Sequence, residues 1–263
     1  MGGIVIWASI ALVILSIWFL EILFNTSFFE SLNFFSRNQT WLPVTALMIG
    51  AFVGLLDDVL VIRGLGTHFA EGLPLYERLA VVGLFALFAG WWFYEKLEIS
   101  SVAIPYVGTF ELGMFFIPFF MVVALSVYAG GVIDGIDGLS GGVFAAIFSG
   151  YALIAFSQNQ IDLAAFCATV VGAILAFLWF NIPPARFYMT ETGIMGLTMA
   201  LTVVAFSVDT LGGGIGVLVL PVLAFPLVAT VASDIIQVLS KKMRGGKKIF
   251  LIAPIHHHFE AIG

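Results

Sequence analysis

Four short segments, far apart in the chain, carry the residue types that phosphoryl chemistry uses. Asp57 and Asp58 close an apolar run in GLLDDVLVIRG, and Asp134 and Asp137 stand three apart among glycines in GGVIDGIDGLSGG. Asn181 and Glu191 bracket NIPPARFYMTETG, and His256, His257 and His258 are consecutive in APIHHHFE. Each segment alone has an ordinary explanation. An aspartate pair can mark a solvated helix end, although two anions at a helix C-terminus oppose the macrodipole and need compensation. Asp134 and Asp137 share a face if their turn is helical, and are incidental if it is only a glycine-rich loop. Glu191 suits the N-terminus of a following helix. Three histidines suggest a tag, but tags are longer and do not sit inside API–FE.

Together the segments say more. Carboxylates gathered on one membrane face repel one another and call for a cation. An oxygen donor set completed by substrate phosphates suits Mg²⁺ better than zinc. The metal would bridge the carboxylates to a diphosphate they would otherwise repel. Histidines and basic residues beside it would neutralise or orient phosphate oxygens, and Tyr188 or Phe187 stands where a nucleobase would stack. The class of chemistry implied is phosphoryl transfer from a soluble, nucleotide-linked donor to a lipid acceptor.

The elements that must position these residues are membrane helices. Of 263 residues, 61% are hydrophobic and 10% charged, against roughly 25% charged in a soluble globular chain. Mean hydropathy is +1.12. A water-soluble fold of this size cannot hide so much apolar surface. Phe occurs 27 times without polar–apolar alternation, which favours an all-α bundle over a barrel. Apolar runs near 3–24, 41–62, 78–94, 112–131, 139–157, 161–180, 193–208 and 213–236 predict about eight transmembrane helices in one domain spanning 1–263. The first run lacks the basic start and cleavage site of a signal peptide. The stretch 95–110, β-branched and punctuated by Pro and Gly, predicts a short hairpin on the outer face.

Alternating the eight spans places Arg63, Arg78, Arg186, Lys241, Lys242, Arg244, Lys247 and Lys248 on one side and only Arg37 and Lys96 on the other. The richer side is therefore expected to be cytoplasmic, with the four acidic and histidine segments on it. The run KKMRGGKK reads first as an anchor of that kind, and Trp91, Trp92 and Tyr94 as an interfacial belt. A net charge of −6 argues against nucleic acid as a partner. Cys167, the single cysteine, excludes an internal disulfide.

The motifs resemble those of the phospho-N-acetylmuramoyl-pentapeptide transferases, within the polyprenyl-phosphate sugar-1-phosphate transferases, over essentially the whole chain. GLLDDV is similar to the family's first aspartate motif, VIDGIDGLSGG to its second, and FLWFNIPPARFYMTETG to its Asn-to-acidic stretch. APIHHHFE resembles the histidine motif that separates the muramoyl-peptide branch from relatives using other sugars. Met1-Gly2-Gly3 looks like the tail of a Pro-Thr-Met-Gly-Gly segment, and the resemblance implies about one further helix at each end.

The resemblance implies Mg²⁺-dependent transfer of phospho-MurNAc-pentapeptide from its UDP carrier to undecaprenyl phosphate, giving lipid I and UMP, in the bacterial cytoplasmic membrane. By the same resemblance, Asp57 and Asp58 match the catalytic pair and Asp134 a catalytic-site aspartate that also serves as a metal ligand. Asp137 matches a uridine-binding aspartate, Asn181 a site asparagine and Tyr188 the aromatic that stacks on uracil. Glu191 matches the Mg²⁺ ligand and His256 to His258 the histidine motif; a homodimer is a further expectation. The chain departs from the pattern at Val61 and Glu71, where lysines are usual, at Gly131, where Asn is usual, and at Ile194, where Ser is common. Glu191 also replaces an aspartate. Transfer of another UDP-sugar phosphate, such as N-acetylglucosamine-1-phosphate, and a non-catalytic binder are the alternatives within the family. An ion or proton transporter is the alternative outside it, and predicts charges near span midplanes.

Overall fold

A computed structural model describes residues 1–35, 39–64, 72–104, 107–211 and 216–263. Arg37 and Glu71 lie outside the described residues. Seven helices among those described are long and apolar enough to cross a membrane: Gly3–Phe24, Trp41–Arg63, Leu75–Lys96, Gly113–Ile133, Leu139–Ser157, Ile161–Asn181 and Thr190–Asp209. The chain is a multi-pass, all-α membrane protein. We number its helices α1 (Gly3–Phe24), α2 (Ser27–Leu32), α3 (Trp41–Arg63), α4 (Leu75–Lys96), α5 (Phe116–Ala129), α6 (Leu139–Ser157), α7 (Ile161–Asn181) and α8 (Thr190–Leu211). They are followed by α9 (Leu220–Leu223), α10 (Phe225–Met243) and α11 (Ile255–Ile262).

The helix α8 is the axis of the bundle. Of its most apolar window 94% is buried, against 22–44% for the other six spans, whose remaining surface is left to lipid. Such burial needs small neighbours, and α3 supplies them. A side chain at Gly50 would meet the carbonyl of Met195, and one at Gly54 would run into the backbone of Glu191. These two glycines let α3 approach the backbone of α8, so the aspartates one turn beyond Gly54 lie against the start of α8.

The expected hairpin is present as strands β1 (Ser101–Ile104) and β2 (Gly108–Glu111), antiparallel with Ser101 opposite Glu111. Buried Asp209 at the far end of α8 fastens it, accepting hydrogen bonds from the N–H groups of Ala103 (3.0 Å), Gly216 (2.9 Å) and Val217 (3.2 Å).

The eighth expected span, 213–236, is where the structure differs from the sequence reading. The helix is broken at Ala224 (φ −94°, ψ 24°), and α10 runs on to Met243. Pro226, at the start of α10, has no N–H for the carbonyl four residues back, and its ring displaces that carbonyl. The helix α10 is also amphipathic. Thr230, Ser233, Gln237 and Ser240 recur at intervals of three and four residues and are all buried, while Ile235, Val238 and Leu239 are exposed. A hydropathy window averages this stripe away.

Candidate functional site

The polar stripe of α10 explains how the histidine segment is held. Gln237 Oε1 accepts hydrogen bonds from the N–H groups of Ile249 (3.0 Å) and Phe250 (3.1 Å), and its amide donates to the carbonyl of Phe250 (2.9 Å). Ser233 Oγ accepts from the N–H of Ile255 at 2.9 Å. The start of α11 is thereby pressed onto the second aspartate turn, where a Cβ at Gly135 would stand 2.7 Å from His257 Nε2 and 3.2 Å from His256 Nε2. His256 is buried with neither ring nitrogen hydrogen-bonded, and His257 Nδ1 lies 3.0 Å from Glu260. Burial, with His257 adding to it, lowers the pKa of His256 below the ordinary histidine value. His258 accepts from the N–H of Leu251 at 3.2 Å and packs its ring against Phe250.

The segment carrying Asp134 and Asp137 is a 3-10 turn (Gly130–Ile133) followed by non-helical residues up to Gly138, whose φ of +77° starts α6. The two aspartates therefore do not share a helical face and take different partners. Asp134 accepts from Ser140 Oγ (2.6 Å) and from the N–H of Thr190 (2.9 Å). Asp137 accepts from the N–H of Ala185 (2.8 Å) and from Tyr188 Oη (2.7 Å). These bonds hold its carboxyl below the usual aspartate range, the backbone bond most strongly, and raise the Tyr188 phenol.

Asn181 lies behind the pocket and is fully buried. Its carbonyl accepts the N–H of Gly138 (3.0 Å) and its amide donates to Phe187 O (3.0 Å), so it joins the aspartate turn to the 182–188 loop. Of the two candidate stacking rings, Phe187 lies flat on Phe180 at 5.5 Å, whereas Tyr188 is 44% exposed at the pocket.

Thr190 joins two motifs. Its N–H binds Asp134 while its hydroxyl donates to Asp58, which also takes the hydroxyl and N–H of Thr192. These contacts hold Thr190 at φ +58°, a left-handed conformation that costs a β-branched residue on the order of 1–2 kcal/mol. A second network runs through Arg78. Its Nη1 donates to Glu191 Oε1 at 2.7 Å, its Nε to the carbonyl of Leu73 at 2.8 Å, and Nε also lies 3.7 Å from Asp57 Oδ2. Tyr128 Oη donates to Glu191 Oε2 at 3.2 Å, and the N–H of Leu73 donates to Asp57 Oδ1.

These groups line a pocket of about 390 Å³ bounded by Asp57, Asp58, Asp134, Glu191, Arg78 and Tyr188, with Val61, Gly72, Gly131, Val132, Thr190 and Ile194 completing it. Two departures from the family pattern meet here: a Cβ on Gly131 would strike the side chain of Ile194, so an apolar contact stands where two polar residues are usual. Three of the four segments thus meet directly in one cavity, and the histidines abut it through Gly135. Arg78, Tyr128, Thr190, Thr192 and Ser140 were not singled out from the sequence. Only the threonines flanking Glu191 in TET offered a local hint.

No three Asp, Glu, His or Cys groups among the described residues already converge on a metal position. The donor chemistry nevertheless fits a hard cation: among the described residues Asp57 Oδ2 is a buried carboxylate oxygen with no hydrogen-bond partner, and the carboxylates of Asp58, Asp134 and Glu191 line the same pocket.

A multi-pass bundle with clustered carboxylates and an arginine around one pocket defines a polytopic membrane protein with a charged site. Comparison with known proteins places it further. Glycosyl transferase family 4 matches residues 40–209. A Clostridium perfringens (strain 13) phospho-N-acetylmuramoyl-pentapeptide-transferase is 36% identical over 214 residues, covering 81% of this chain and 64% of the relative. Proteins of the same name from Clostridium kluyveri (strain ATCC 8527) and Listeria innocua are 37% and 36% identical, covering 86% and 85% of this chain and 69% and 67% of theirs. The chain belongs to glycosyl transferase family 4, on the branch of the phospho-N-acetylmuramoyl-pentapeptide-transferases. It spans about two thirds of the length of the curated relatives it matches.

Proposed function

We propose that the chain transfers phospho-MurNAc-pentapeptide from its UDP carrier to undecaprenyl phosphate, on the cytoplasmic face of the bacterial inner membrane. The observation that carries this reading is the buried Oδ2 of Asp57, which among the described residues has no hydrogen-bond donor and only the Arg78 guanidinium at 3.7 Å, in a pocket shared with Glu191, Asp134 and Arg78. A carboxylate oxygen without a donor is costly in a dry site and is suited to a metal or to a proton in flight. An oxygen of the acceptor phosphate attacks the β-phosphorus of the donor, the bond to the UMP oxygen breaks, and UMP leaves. Asp57 or Asp58 assists loss of the acceptor proton. Asp58, which already accepts three hydrogen bonds from Thr190 and Thr192, is the better fixed of the two.

Mg²⁺ would be held by Asp57 and Glu191, with Asp134 beside them, and supplies charge neutralisation at the diphosphate. Tyr188, oriented by Asp137, would stack on the uracil. An apolar groove of about 460 Å³ between α5 and α9–α10, lined by Phe119, Val123, Val127, Leu227, Val228 and Ile235 among others, suits a polyprenyl chain. Leu227 of that groove packs on Gly130, at the start of the turn that carries Asp134.

The test is UMP release by the purified protein with undecaprenyl phosphate and Mg²⁺, offered UDP-MurNAc-pentapeptide or UDP-N-acetylglucosamine. Release with the first only is expected. Release with the second only moves the chain to a different sugar, and release with neither makes it a binder.

A further inference from the structure

We infer that Arg78 is the group that grips the donor's diphosphate, and that Glu191 holds it in position until the nucleotide arrives. The inference rests on the transferase reading and adds a residue to it. Four carboxylates line the pocket, those of Asp57, Asp58, Asp134 and Glu191, and among the described residues Arg78 is the one basic side chain in its lining. A diphosphate entering such a pocket meets like charge from every acid and attraction from one place. Val61 also lines the pocket and brings no charge.

The geometry suits a hand-over of partners. The Arg78 side chain is 22% exposed and lines the cavity, while Nε is anchored to the carbonyl of Leu73 at 2.8 Å. That anchor fixes the plane of the fork and leaves Nη1 on Glu191 Oε1 at 2.7 Å. A planar fork binds phosphate oxygens as readily as carboxylate oxygens. Replacing Glu191 by a phosphate oxygen keeps Arg78 paired, and the freed carboxylate stays tethered through Oε2 by Tyr128 at 3.2 Å. Ion pairing thus stores the cation beside the pocket without leaving a buried charge unpaired.

The experiment compares binding of UDP and of uridine to the full chain in detergent, without added metal, so the readout is independent of turnover. Arg78→Gln is expected to weaken UDP roughly tenfold to a hundredfold, the range for a lost charge-assisted hydrogen bond, and to leave uridine within about twofold. Arg78→Lys should restore part of the UDP affinity. Lys96→Gln, which makes the same charge change at the opposite end of the bundle, should leave both ligands unaffected. Arginine-directed labelling of the unmutated protein with phenylglyoxal, mapped by mass spectrometry, adds a readout that needs no variant to fold. UDP should protect Arg78 and uridine should not. Equal UDP affinity in Arg78→Gln, equal loss of uridine and UDP, or labelling unaffected by UDP would each overturn the inference. An unmutated protein that binds no UDP even when Mg²⁺ is added would instead bring down the transferase reading with it.

Discussion

At the scale of single residues, the site depends on side chains that serve two motifs at once. Thr190 is the clearest, with its N–H on Asp134 and its hydroxyl on Asp58. Thr190→Val keeps the shape and the N–H bond but leaves Asp58 one donor short. The loss should cost about 1–2 kcal/mol of stability and reduce UMP release about tenfold, read from thermal unfolding and initial rates on the same preparation. His256 gives a pH dependence. Its folded pKa lies below the ordinary value, so the stabilisation it brings is complete above about pH 6.5. It is lost as the pH falls through the lowered folded value, because the unfolded chain takes up the proton first. Thermal stability should be flat from pH 7 to 8 and decline below pH 6.5, and His256→Asn should flatten that limb. Asp137 and Tyr188 add nothing in that window, since one titrates lower and the other higher.

At the scale of elements, much was legible in the sequence because hydropathy and charge spacing are local. Seven of the expected spans appear close to their predicted limits, as does the 101–111 hairpin. The broken α9–α10 was not legible, because Pro226 and the buried stripe at Thr230, Ser233, Gln237 and Ser240 sit inside an otherwise apolar average. The roles of Arg78 and Tyr128 were hidden for a different reason. They reach Glu191 across 113 and 63 residues of sequence, and no local spacing reports a contact of that kind. Asn181, matched by resemblance to a site asparagine, is buried behind the pocket, where its amide joins Gly138 to Phe187. The polar stripe of α10 makes a prediction of its own. Gln237→Leu removes three hydrogen bonds from the 249–250 backbone and should free the histidine segment. Limited proteolysis between Lys241 and Lys248 should accelerate, and UMP release should fall at least tenfold.

At the scale of the whole molecule, the account requires that the pocket and the hairpin lie on opposite sides of a bilayer. Cys167 is fully buried, so the native chain gives little background for thiol labelling. A cysteine at Lys248 and another at Phe110, each introduced alone, should react from opposite sides of sealed inverted vesicles with a membrane-impermeant maleimide, Lys248→Cys from the cytoplasmic side. Labelling of both from one side would dismantle the predicted topology. The charged groups of the pocket gather at one end of the bundle instead of lining its middle, which is the arrangement expected of a surface reaction and not of an ion path.

The most direct test of the central claim, that these motifs form one phosphoryl-transfer centre around Asp57, is UMP release by Asp57→Asn beside the unmutated protein. The substitution keeps the volume and removes the charge at Oδ2. The account predicts turnover in the unmutated protein and a loss of at least a thousandfold in the variant, with UDP still bound. Unchanged turnover in Asp57→Asn would contradict it.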